Sequence, residues 1–347
     1  MNVAILGATG AVGMQVLKCL EERKIKVDNL RLLASERSAG KVVKFNGKEV
    51  VIEKTTEDSF KGVDIVCGAA ENDIAKEFAP HIVKAGAVFV DNSSAFRLDD
   101  NVPLVVPQIN KEDIKKHNGI ISNPNCSTII TMMAIYPINK LSKIKNVIAT
   151  TFQAVSGAGV GGIDELYTQI SDICDENKKN NYNPKTDGGA SIKRDLPSKT
   201  FKYQIAYNVI PAIGSFKENL YTTEEMKMQN EGRKIMHLPD LNVTCTCVRV
   251  PVMRSHSISV SLSTEEKLDL NKVRDEISKS AGLKLVDDPA NHKYPMPLST
   301  CDKDIVEVGR IREDLVLPNG IALFCSGDQI RKGAATNVVE IIEEMYK

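Results

Sequence analysis

The chain has 347 residues, 42% of them hydrophobic, so it is long enough for about two domains with apolar cores. Its 45 lysines and arginines balance 45 aspartates and glutamates, which argues against a nucleic-acid-binding or membrane-surface protein. We find no signal peptide, no apolar run long enough to cross a bilayer and no disulfide-framework spacing among the eight cysteines, so we expect a cytoplasmic protein with free thiols.

The first predicted elements are a short apolar strand, a glycine-rich turn and an amphipathic helix, in NVAILGATGAVGMQVLKCLEE. The turn has the spacing G-x-x-G-x-x-G, a relative of the dinucleotide fingerprint in which glycines let a pyrophosphate approach a helix N-terminus. The residues of this turn that we predict to contact a cofactor are Gly7, Thr9, Gly10, Ala11, Val12 and Gly13.

The next predicted strand, LRLLAS, ends where NAD-binding proteins have an acidic residue for the ribose 2′-hydroxyl. The sequence SERSAG instead places Ser35, Arg37 and Ser38 where they can bind a 2′-phosphate, which favours NADP. Glu36 can itself be the acidic residue, so NAD remains an alternative.

Strands and helices continue to alternate up to the segment SNPNCST. The runs VDIVCGAA, AVFVDNSS and LVVPQI predict strands and DIAKEFAPHIVKA predicts a helix, an alternation typical of a doubly wound α/β domain of the Rossmann type. Asn123-Pro124-Asn125 ends the next strand, and Thr128 with the apolar run after it begins a helix. Cys126 is therefore expected near a helix N-terminus at a strand end, where open α/β sheets have their active-site crevice.

Beyond residue 145 the pattern changes. The segments NVIATTFQAVSGAG, NVTCTCVRVPV and SISVSLS alternate apolar and polar residues, which predicts a largely antiparallel or mixed sheet in a second, α+β domain. Between them, GGIDELYTQISDICDENKK has helical apolar spacing and residues 180–199 predict a long loop. The final stretch, IALFCSGDQIRKGAATNVVEIIEEM, predicts a strand, a turn and a helix that return to the first domain.

The sequence does not indicate a metal site. Cys245 and Cys247 form a C-x-C, but no second pair of ligands stands nearby at metal-binding spacing. An alternating strand explains them better, with both cysteines and Arg249 on one face.

Eight segments in order resemble the aspartate-β-semialdehyde dehydrogenase family: GATGAVG, SERSAG, DNSSAFR, SNPNCST, FQAVSGAG, YTTEEMKM, VRVPVMRSHS and IRKGAATN. The resemblance implies a fold like that of glyceraldehyde-3-phosphate dehydrogenase, with an NADP-binding domain (1–126 with 327–347) and a catalytic and dimerisation domain (127–326). It implies NADPH-dependent reductive dephosphorylation of β-aspartyl phosphate to aspartate β-semialdehyde, on the route to diaminopimelate, lysine, threonine and methionine. It also implies a homo-oligomer, a dimer or a tetramer.

The chemistry of such a reaction requires a thiol and a base. An acyl phosphate is reduced most readily through a thioester, and Cys126 is the predicted nucleophile, its thiolate favoured by the helix N-terminus and a nearby base. His256 in RSHSIS is the best candidate for that base, because its pKa range suits proton transfer near neutrality. Arg249, on the same extended segment, can form a forked ion pair with the substrate α-carboxylate.

The resemblance implies the other site residues. Glu224 would hold the amino group and Lys227 the phosphate, although without the resemblance these two would be an ordinary ion pair on a helix surface. Further implied substrate contacts are Arg97 for the phosphate, Gln153 for the acyl group, and Asn125. The implied contacts on the nicotinamide side are Ser156, Gly157, Gly159 and Gln329, the last where asparagine is expected.

Three alternatives remain open at this stage. N-acetyl-γ-glutamyl-phosphate reductase uses the same chemistry, but glycine and tyrosine typically flank its cysteine, and an acetylated amine has little need of Glu224. A malonyl-CoA reductase is a more distant relative with the same fold. A non-catalytic NADP-binding protein is disfavoured because Cys126, Gln153, Arg249 and His256 are all present. The helical segment from Ile163 to Ile173 is a candidate subunit contact.

Overall fold

The computed structural model describes residues 1–181, 183, 185, 186, 192, 196 and 198–347. Much of the loop predicted at 180–199 therefore lies outside the described residues. Within the described part of the chain, no helix is long and apolar enough to cross a membrane.

The first sheet has seven strands in the order β3-β4-β2-β1-β5-β6-β7. Its neighbours are parallel except for the antiparallel hairpin of β3 and β4. The strand order reverses between β1 and β5, which is where doubly wound sheets open a ligand crevice. The strands are β1 (Asn2–Leu6), β2 (Asn29–Ala34), β3 (Val42–Phe45), β4 (Lys48–Lys54), β5 (Ile65–Gly68), β6 (Val88–Asp91) and β7 (Ile120–Ser122).

Helices cover both faces of this sheet because its central strands are apolar on both sides. The amphipathic segments predicted as helices form α1 (Ala11–Glu22) and α2 (Asn72–Lys84). The segment LVVPQI does not form the predicted strand: Leu104 makes one isolated bridge to Ser122, and Pro107 begins the short helix α3 (Pro107–Asn110). Proline lacks the N–H that a strand ladder needs and presets the first turn of a helix.

The second sheet has six strands in the order β11-β12-β13-β10-β8-β9 and is mixed, as predicted. Most neighbours are antiparallel, but β8 and β9, and β11 and β12, pair in parallel. The strands are β8 (Ile144–Gln153), β9 (Asn242–Arg249), β10 (His256–Thr264), β11 (Leu283–Leu285), β12 (Val306–Glu313) and β13 (Gly320–Gly327).

One apolar helix joins the two sheets. This helix, α4 (Cys126–Leu141), leaves the end of β7 and packs almost entirely buried against the second sheet, in the largest apolar cluster of the protein. The remaining helices of this part are α5 (Gly159–Lys179), α6 (Thr223–Met236), α7 (Leu270–Lys279) and the short α8 (Pro297–Thr300). The direct link from β7 to α4 brings the first sheet's crevice next to the second sheet.

The C-terminal segment is divided between the two sheets. Its strand, β13, lies inside the second sheet, so the expectation that the whole stretch returns to the first domain is wrong for this strand. A π-helical turn (Arg331–Ala335) follows and leads into α9 (Thr336–Met345), which packs beside α1 in the core of the first sheet. β13 belongs to the second sheet because it lies between β12 and β10 and connects them in the sheet order.

Candidate active site

Cys126 is the first residue of α4, directly after β7. The Asn125 side chain caps this helix by accepting the backbone N–H groups of Ser127 and Thr128 at 3.1 and 3.2 Å. A Cβ atom added at Gly333 would lie 2.9 Å from the Cys126 Cβ, so the π-helical turn approaches the thiol as closely as glycine allows. The helix begins two residues earlier than predicted, which puts the thiol in its first turn.

Strand register brings three of the predicted site residues to one edge of the second sheet. Gln153 and Arg249 are register partners at the ends of the parallel strands β8 and β9. His256 begins β10, whose next residue, Ser257, pairs with Phe152 of β8. All three side chains are buried. They lie far apart in the sequence, and strand pairing in the second sheet brings them together.

Glu224 connects this edge to the nucleophile. Its carboxylate accepts hydrogen bonds from Asn125 Nδ2 at 2.9 Å and Gln153 Nε2 at 3.3 Å, and it pairs with Lys227 Nζ at 3.0 Å. Burial raises the pKa of Glu224, but the Lys227 charge and these hydrogen bonds outweigh that effect and bring the pKa to about 2. The site therefore contains an ionised, buried carboxylate, and Glu224 and Lys227 are not an ordinary surface pair.

The thiol is protonated in this site. Burial, followed by the charge of Glu224, raises the pKa of Cys126 to about 12, although Lys227, Arg97 and Arg249 act in the opposite direction. The helix N-terminus, which was expected to favour the thiolate, is therefore opposed here by burial and by the Glu224 carboxylate.

His256 is completely buried and neutral. Its Nδ1 accepts the backbone N–H of Ala154 at 3.1 Å, so the neutral ring has its proton on Nε2. Burial and then the charge of Arg249 lower the pKa of His256 to about 3, while Glu224 opposes this. A Cβ atom at Gly157 would lie 3.3 Å from Nε2 and 2.8 Å from Arg249 Nη1, so this loop stays open only with glycine.

Several buried polar atoms near the ends of β7 and β10 lack hydrogen-bond partners. In the described part of the chain four buried side-chain atoms have no hydrogen-bond partner: Arg97 Nε, Ser122 Oγ, Ser255 Oγ and His256 Nε2. Ser122 ends β7, four residues before Cys126, and Ser255 precedes His256 with a strained φ of 75°. Such orphaned groups in a native protein need an explanation, and polar atoms of a substrate provide one.

The glycine-rich turn forms one wall of a cavity of about 440 Å³ at the ends of β1, β2 and β5. A Cβ atom on Gly7 would lie 2.5 Å from the Ala69 carbonyl oxygen, and a Cβ atom on Gly13 would lie 2.3 Å from the Gly7 carbonyl oxygen. Both positions therefore require glycine. Gly10 caps α1 and faces the cavity, with Thr9 before it and Ala11 and Val12 in the first helical turn. A pyrophosphate fits this arrangement of glycines at a helix N-terminus.

The ribose end of the cavity contains more charge than expected. Ser35 and Glu36 line it, and so does Lys54, whose Nζ lies 2.9 Å from Glu36 Oε2. Arg37 and Ser38 lie in the single 3₁₀ turn that follows, where Ser38 is buried. Lys54 comes from the neighbouring strand β4, so the local sequence SERSAG does not predict its presence here.

Three of the residues expected near the nicotinamide, Ser156, Gly157 and Gln329, lie close to His256 and the residue before it. The Gln329 side-chain amide donates to Ser156 Oγ, and its carbonyl oxygen accepts the backbone N–H of Ser255 at 2.9 Å. Gln329 thus ties the Ser156–Gly157 loop to the residue before His256. Gly159 begins α5 at a φ of 76°, and no atom lies within 4 Å of where its Cβ would be.

The described residues contain no group of three or more metal-ligating side chains. Cys245 and Cys247 lie buried on one face of β9, with their Sγ atoms 3.7 Å apart.

Three further residues at the site were not identified from the sequence. Gly333 contacts Cys126, Lys54 faces the ribose end, and Glu231 is buried between Arg97 and the backbone of Asn125. Only Glu231 has a sequence signal, because it follows Glu224 by two helical turns and so shares its face of α6.

Comparison with known proteins identifies the family of this chain. Residues 2–117 match the family described as semialdehyde dehydrogenase, NAD binding domain, and residues 135–332 match semialdehyde dehydrogenase, dimerisation domain. The chain is 45% identical to aspartate-semialdehyde dehydrogenase of Bacillus subtilis, over 100% of this chain and 98% of the relative, and 46% identical, with the same coverage, to that of Aquifex aeolicus. A crystal structure of Vibrio cholerae aspartate semialdehyde dehydrogenase II complexed with ASA is similar, with a TM-score of 0.90, 42% identity and coverage of 99% of this chain and 98% of that chain.

Proposed function

Since the chain belongs to the aspartate-semialdehyde dehydrogenase family, we propose that it is the enzyme that reduces β-aspartyl phosphate to aspartate β-semialdehyde, with release of phosphate. The observation that most supports this function is the meeting of Cys126 with Gln153, Arg249 and His256 around the ionised Glu224. This reaction would supply lysine, threonine, methionine and diaminopimelate synthesis in the cytoplasm.

Each polar group of the substrate has a partner in the site. The ammonium group is the natural counter-ion of Glu224, because a buried carboxylate held at a pKa of about 2 stays ionised at neutral pH. The Arg249 guanidinium, which donates through Nη1 to the Ala154 carbonyl at 2.6 Å, binds the α-carboxylate with its remaining N–H groups. Lys227 and Arg97 bind the phosphate, and Gln153 and Asn125 orient the acyl group beside the thiol.

Cys126 and His256 perform the chemistry. The Cys126 sulfur forms a bond to the acyl carbon, the carbon–oxygen bond to phosphate breaks, and the thiol proton leaves with the phosphate. When bound, the nicotinamide cofactor supplies the hydride that reduces the thioester. His256 Nε2–H donates a hydrogen bond to the oxyanion of the developing hemithioacetal. The carbon–oxygen double bond then re-forms and the carbon–sulfur bond breaks, so the aldehyde is released and Cys126 leaves as a thiolate that takes a proton from solvent.

This order of chemical steps explains why His256 is neutral at rest. A ring with Nδ1 held by the Ala154 N–H offers a hydrogen-bond donor at Nε2, which stabilises the oxyanion formed when the thioester is reduced. An imidazolium there would be disfavoured by burial and by Arg249. His256 thus acts through its neutral Nε2–H, which stays on the ring throughout the reduction.

The family implies a nicotinamide cofactor, and we propose NADP. Gly7, Gly10 and the first turn of α1 would hold the pyrophosphate, and Ser35, Arg37 and Ser38 the 2′-phosphate. Lys54 supports this choice because its ammonium group pairs with Glu36, the acidic residue that would favour NAD, and adds a positive charge at this end of the cavity. The other proposed cofactor contacts are Thr9, Ala11, Val12, Gly13, Ser156, Gly157, Gly159 and Gln329.

We propose that residues 1–126 with 327–347 form the NADP-binding domain and residues 127–326 the catalytic and dimerisation domain. The packing of α9 beside α1 supports the first assignment. A homo-oligomer follows from the match to a dimerisation domain and from exposed apolar side chains such as Ile148 (45%) and Tyr167 (69%). On α5, Leu166 and Ile173 are buried within the chain, so a contact there would use Tyr167 instead. Light scattering that shows only monomer at working concentration would contradict the oligomer.

The test of the function is reduction of NADP by aspartate semialdehyde, followed optically with and without inorganic phosphate. Phosphate-dependent reduction is expected, because the thioester is released from Cys126 only by phosphate. Reduction with N-acetylglutamate semialdehyde but not with aspartate semialdehyde would contradict the proposed substrate. Tight NADP binding with no reduction of either would contradict the enzyme itself.

A further inference from the structure

Helix α6 presents four charged residues of alternating sign on one face. Glu224, Lys227, Glu231 and Lys234 follow at spacings of three, four and three residues, which places them in one stripe of an α-helix. The first two contact the nucleophile's surroundings, as described above. The last two contact the segment that begins at Arg97.

Glu231 is 2% exposed and joins two parts of the active site. Its Oε1 lies 3.1 Å from Arg97 Nη1, and its Oε2 accepts the backbone N–H of Asn125 at 2.6 Å, one residue before the nucleophile. Both hydrogen bonds are charge-assisted and shielded from water, which makes them strong and directional.

The remaining contacts of Arg97 leave one group free for a ligand. Arg97 Nη2 donates to the Asn92 carbonyl at 2.8 Å, and its buried Nε has no partner among the described residues. Lys234 Nζ donates to the carbonyls of Arg97, Asp99 and Val102 at 3.0, 2.6 and 2.8 Å, which fixes the backbone of this segment to α6. The guanidinium therefore has a defined orientation in which Nε, the one nitrogen without a hydrogen bond among the described residues, has its N–H available to a ligand.

We propose that Glu231 is a positioning residue for phosphate: one carboxylate holds the Arg97 guanidinium and the backbone ahead of Cys126 at a fixed separation. The inference rests on the proposed function, in which Arg97 binds the phosphate of the substrate. Phosphate bound to Arg97 is then aligned with the thiol, and Lys227 on the same helix face lies on the Glu224 side of it. Glu231 itself touches neither the phosphate nor the reacting carbon.

The primary test is the variant Glu231→Gln, assayed in the direction of semialdehyde oxidation. Glutamine keeps the shape and can still accept the Asn125 N–H, but it loses the charge that holds Arg97. We expect the KM for inorganic phosphate to rise about tenfold or more, while the KM for the semialdehyde stays within about twofold of the original value. Equal changes in both constants, or none in either, would overturn the proposal.

Glu225→Gln is the matched control. Glu225 is the neighbouring residue on α6 and is also buried, but its carboxylate accepts the backbone N–H groups of Thr222 and Cys247 and does not contact Arg97. This variant is expected to lower the melting temperature and leave the ratio of the two KM values unchanged. A rise in the phosphate KM alone in this control would show that any loss of charge in α6 has the same effect.

A double-mutant cycle with Arg97→Gln tests the route of the effect. If Glu231 acts through Arg97, then Glu231→Gln in the Arg97→Gln background leaves the phosphate KM within about twofold, whereas additive effects overturn the proposal. Glu231→Asp keeps the charge and loses a methylene, so its phosphate KM should rise less than that of Glu231→Gln. The reverse order would indicate a role in shape alone, and melting curves identify any variant that does not fold.

A second readout does not depend on turnover. Inorganic phosphate should protect Cys126 from iodoacetamide, and Glu231→Gln should raise the phosphate concentration for half-protection about tenfold. An unchanged concentration would contradict the proposal. The two experiments separate the proposed function from the positioning role of Glu231. The proposed function fails if the unmodified protein shows no phosphate-dependent reduction of NADP, and the positioning role fails if Glu231→Gln leaves phosphate protection unchanged.

Discussion

The glycine-rich turn of the first sheet and the thiol site between the sheets bind ligands in different ways. The turn uses backbone and small residues within about one strand-turn-helix unit, and two of its glycines have no room for a Cβ atom. The thiol site combines polar side chains from the start of α4 and from three strands of the second sheet with the buried charges of α6 and β9. The first is a local shape, and the second is an electrostatic balance between distant segments.

This difference teaches that the two regions should fail separately. A change in the turn alters space, so it should affect cofactor binding and folding. A change in the thiol site alters charge or a reacting atom, so it should affect chemistry while the cofactor still binds. The following variants test that separation.

The largest effect is expected from Cys126→Ala. Without the thiol no thioester forms, so turnover should fall at least about 10⁴-fold. NADP affinity, measured by calorimetry, should stay nearly unchanged because the glycine-rich turn follows β1, three positions from β7 in the sheet order. Cys174→Ala, a thiol on α5, is the control; residual turnover of the Cys126 variant within about tenfold of the unmodified protein would exclude Cys126 as the nucleophile.

His256→Asn should lower kcat about 10²- to 10⁴-fold, because the hydrogen-bond donor at Nε2 is lost. NADP affinity should again be retained. His81→Asn on α2 is the control, and an equal loss there would point to a general effect of removing a histidine.

His256 should also affect the free energy of unfolding at acidic pH. The folded pKa of His256 is about 3 and the ordinary value is 6.5, so between these values only the unfolded chain binds the proton. His256 therefore lowers the free energy of unfolding by up to about 1.4 kcal/mol per pH unit as the pH falls through this range. Urea midpoints of His256→Asn should decline less steeply from pH 6.5 to 4 than those of the unmodified protein; parallel slopes would contradict a buried neutral ring.

Gly13→Ala should destabilise the protein by roughly 1–3 kcal/mol, because the new Cβ would meet the Gly7 carbonyl oxygen at 2.3 Å. Gly10→Ala is the matched case: its Cβ would lie 3.4 Å from the same oxygen, so the protein should fold and lose mainly cofactor affinity. Thermal melts and NADP titrations of both variants measure the two effects. A stable Gly13→Ala would show that the turn can relax.

The smallest effect is expected at the ribose end. Arg37→Ala and Lys54→Ala should each weaken NADPH about tenfold more than NADH, the first by removing a ligand of the 2′-phosphate and the second by freeing Glu36. Calorimetric titration with each cofactor measures the ratio, and Lys61→Ala is a surface control. Equal losses for both cofactors in the Arg37 variant would make Glu36 the residue that decides the choice.

The two regions also differ in how much of their structure could be predicted from the sequence. The strand, turn and helix around Gly7 were predicted because their pattern is contiguous, and the second sheet was predicted as mixed because alternation in β8, β9 and β10 has period two. The strand expected at LVVPQI was wrong since one proline outweighed an apolar run. The loop predicted at 180–199 lies largely outside the described residues.

Within the site, residue types were predicted better than their states. Family resemblance indicated Glu224 and Lys227, but only burial and the bonds to Asn125 and Gln153 show that Glu224 is an ionised centre. The protonated thiol of Cys126 was not foreseen, because a pKa depends on the charges and solvent around a group and not on its neighbours in the chain.

By itself the sequence determined the order of elements, the glycines of the turn and the position of Cys126 at a strand end, since each depends on residues close together in the chain. The tertiary structure alone decided that Glu231 holds Arg97, that Lys54 pairs with Glu36 and that Gly333 packs against the backbone and Cβ of Cys126. These contacts join residues that strand register and helix packing bring together across long stretches of chain. A local pattern has no information about them, because distances across the fold exist only once it has formed.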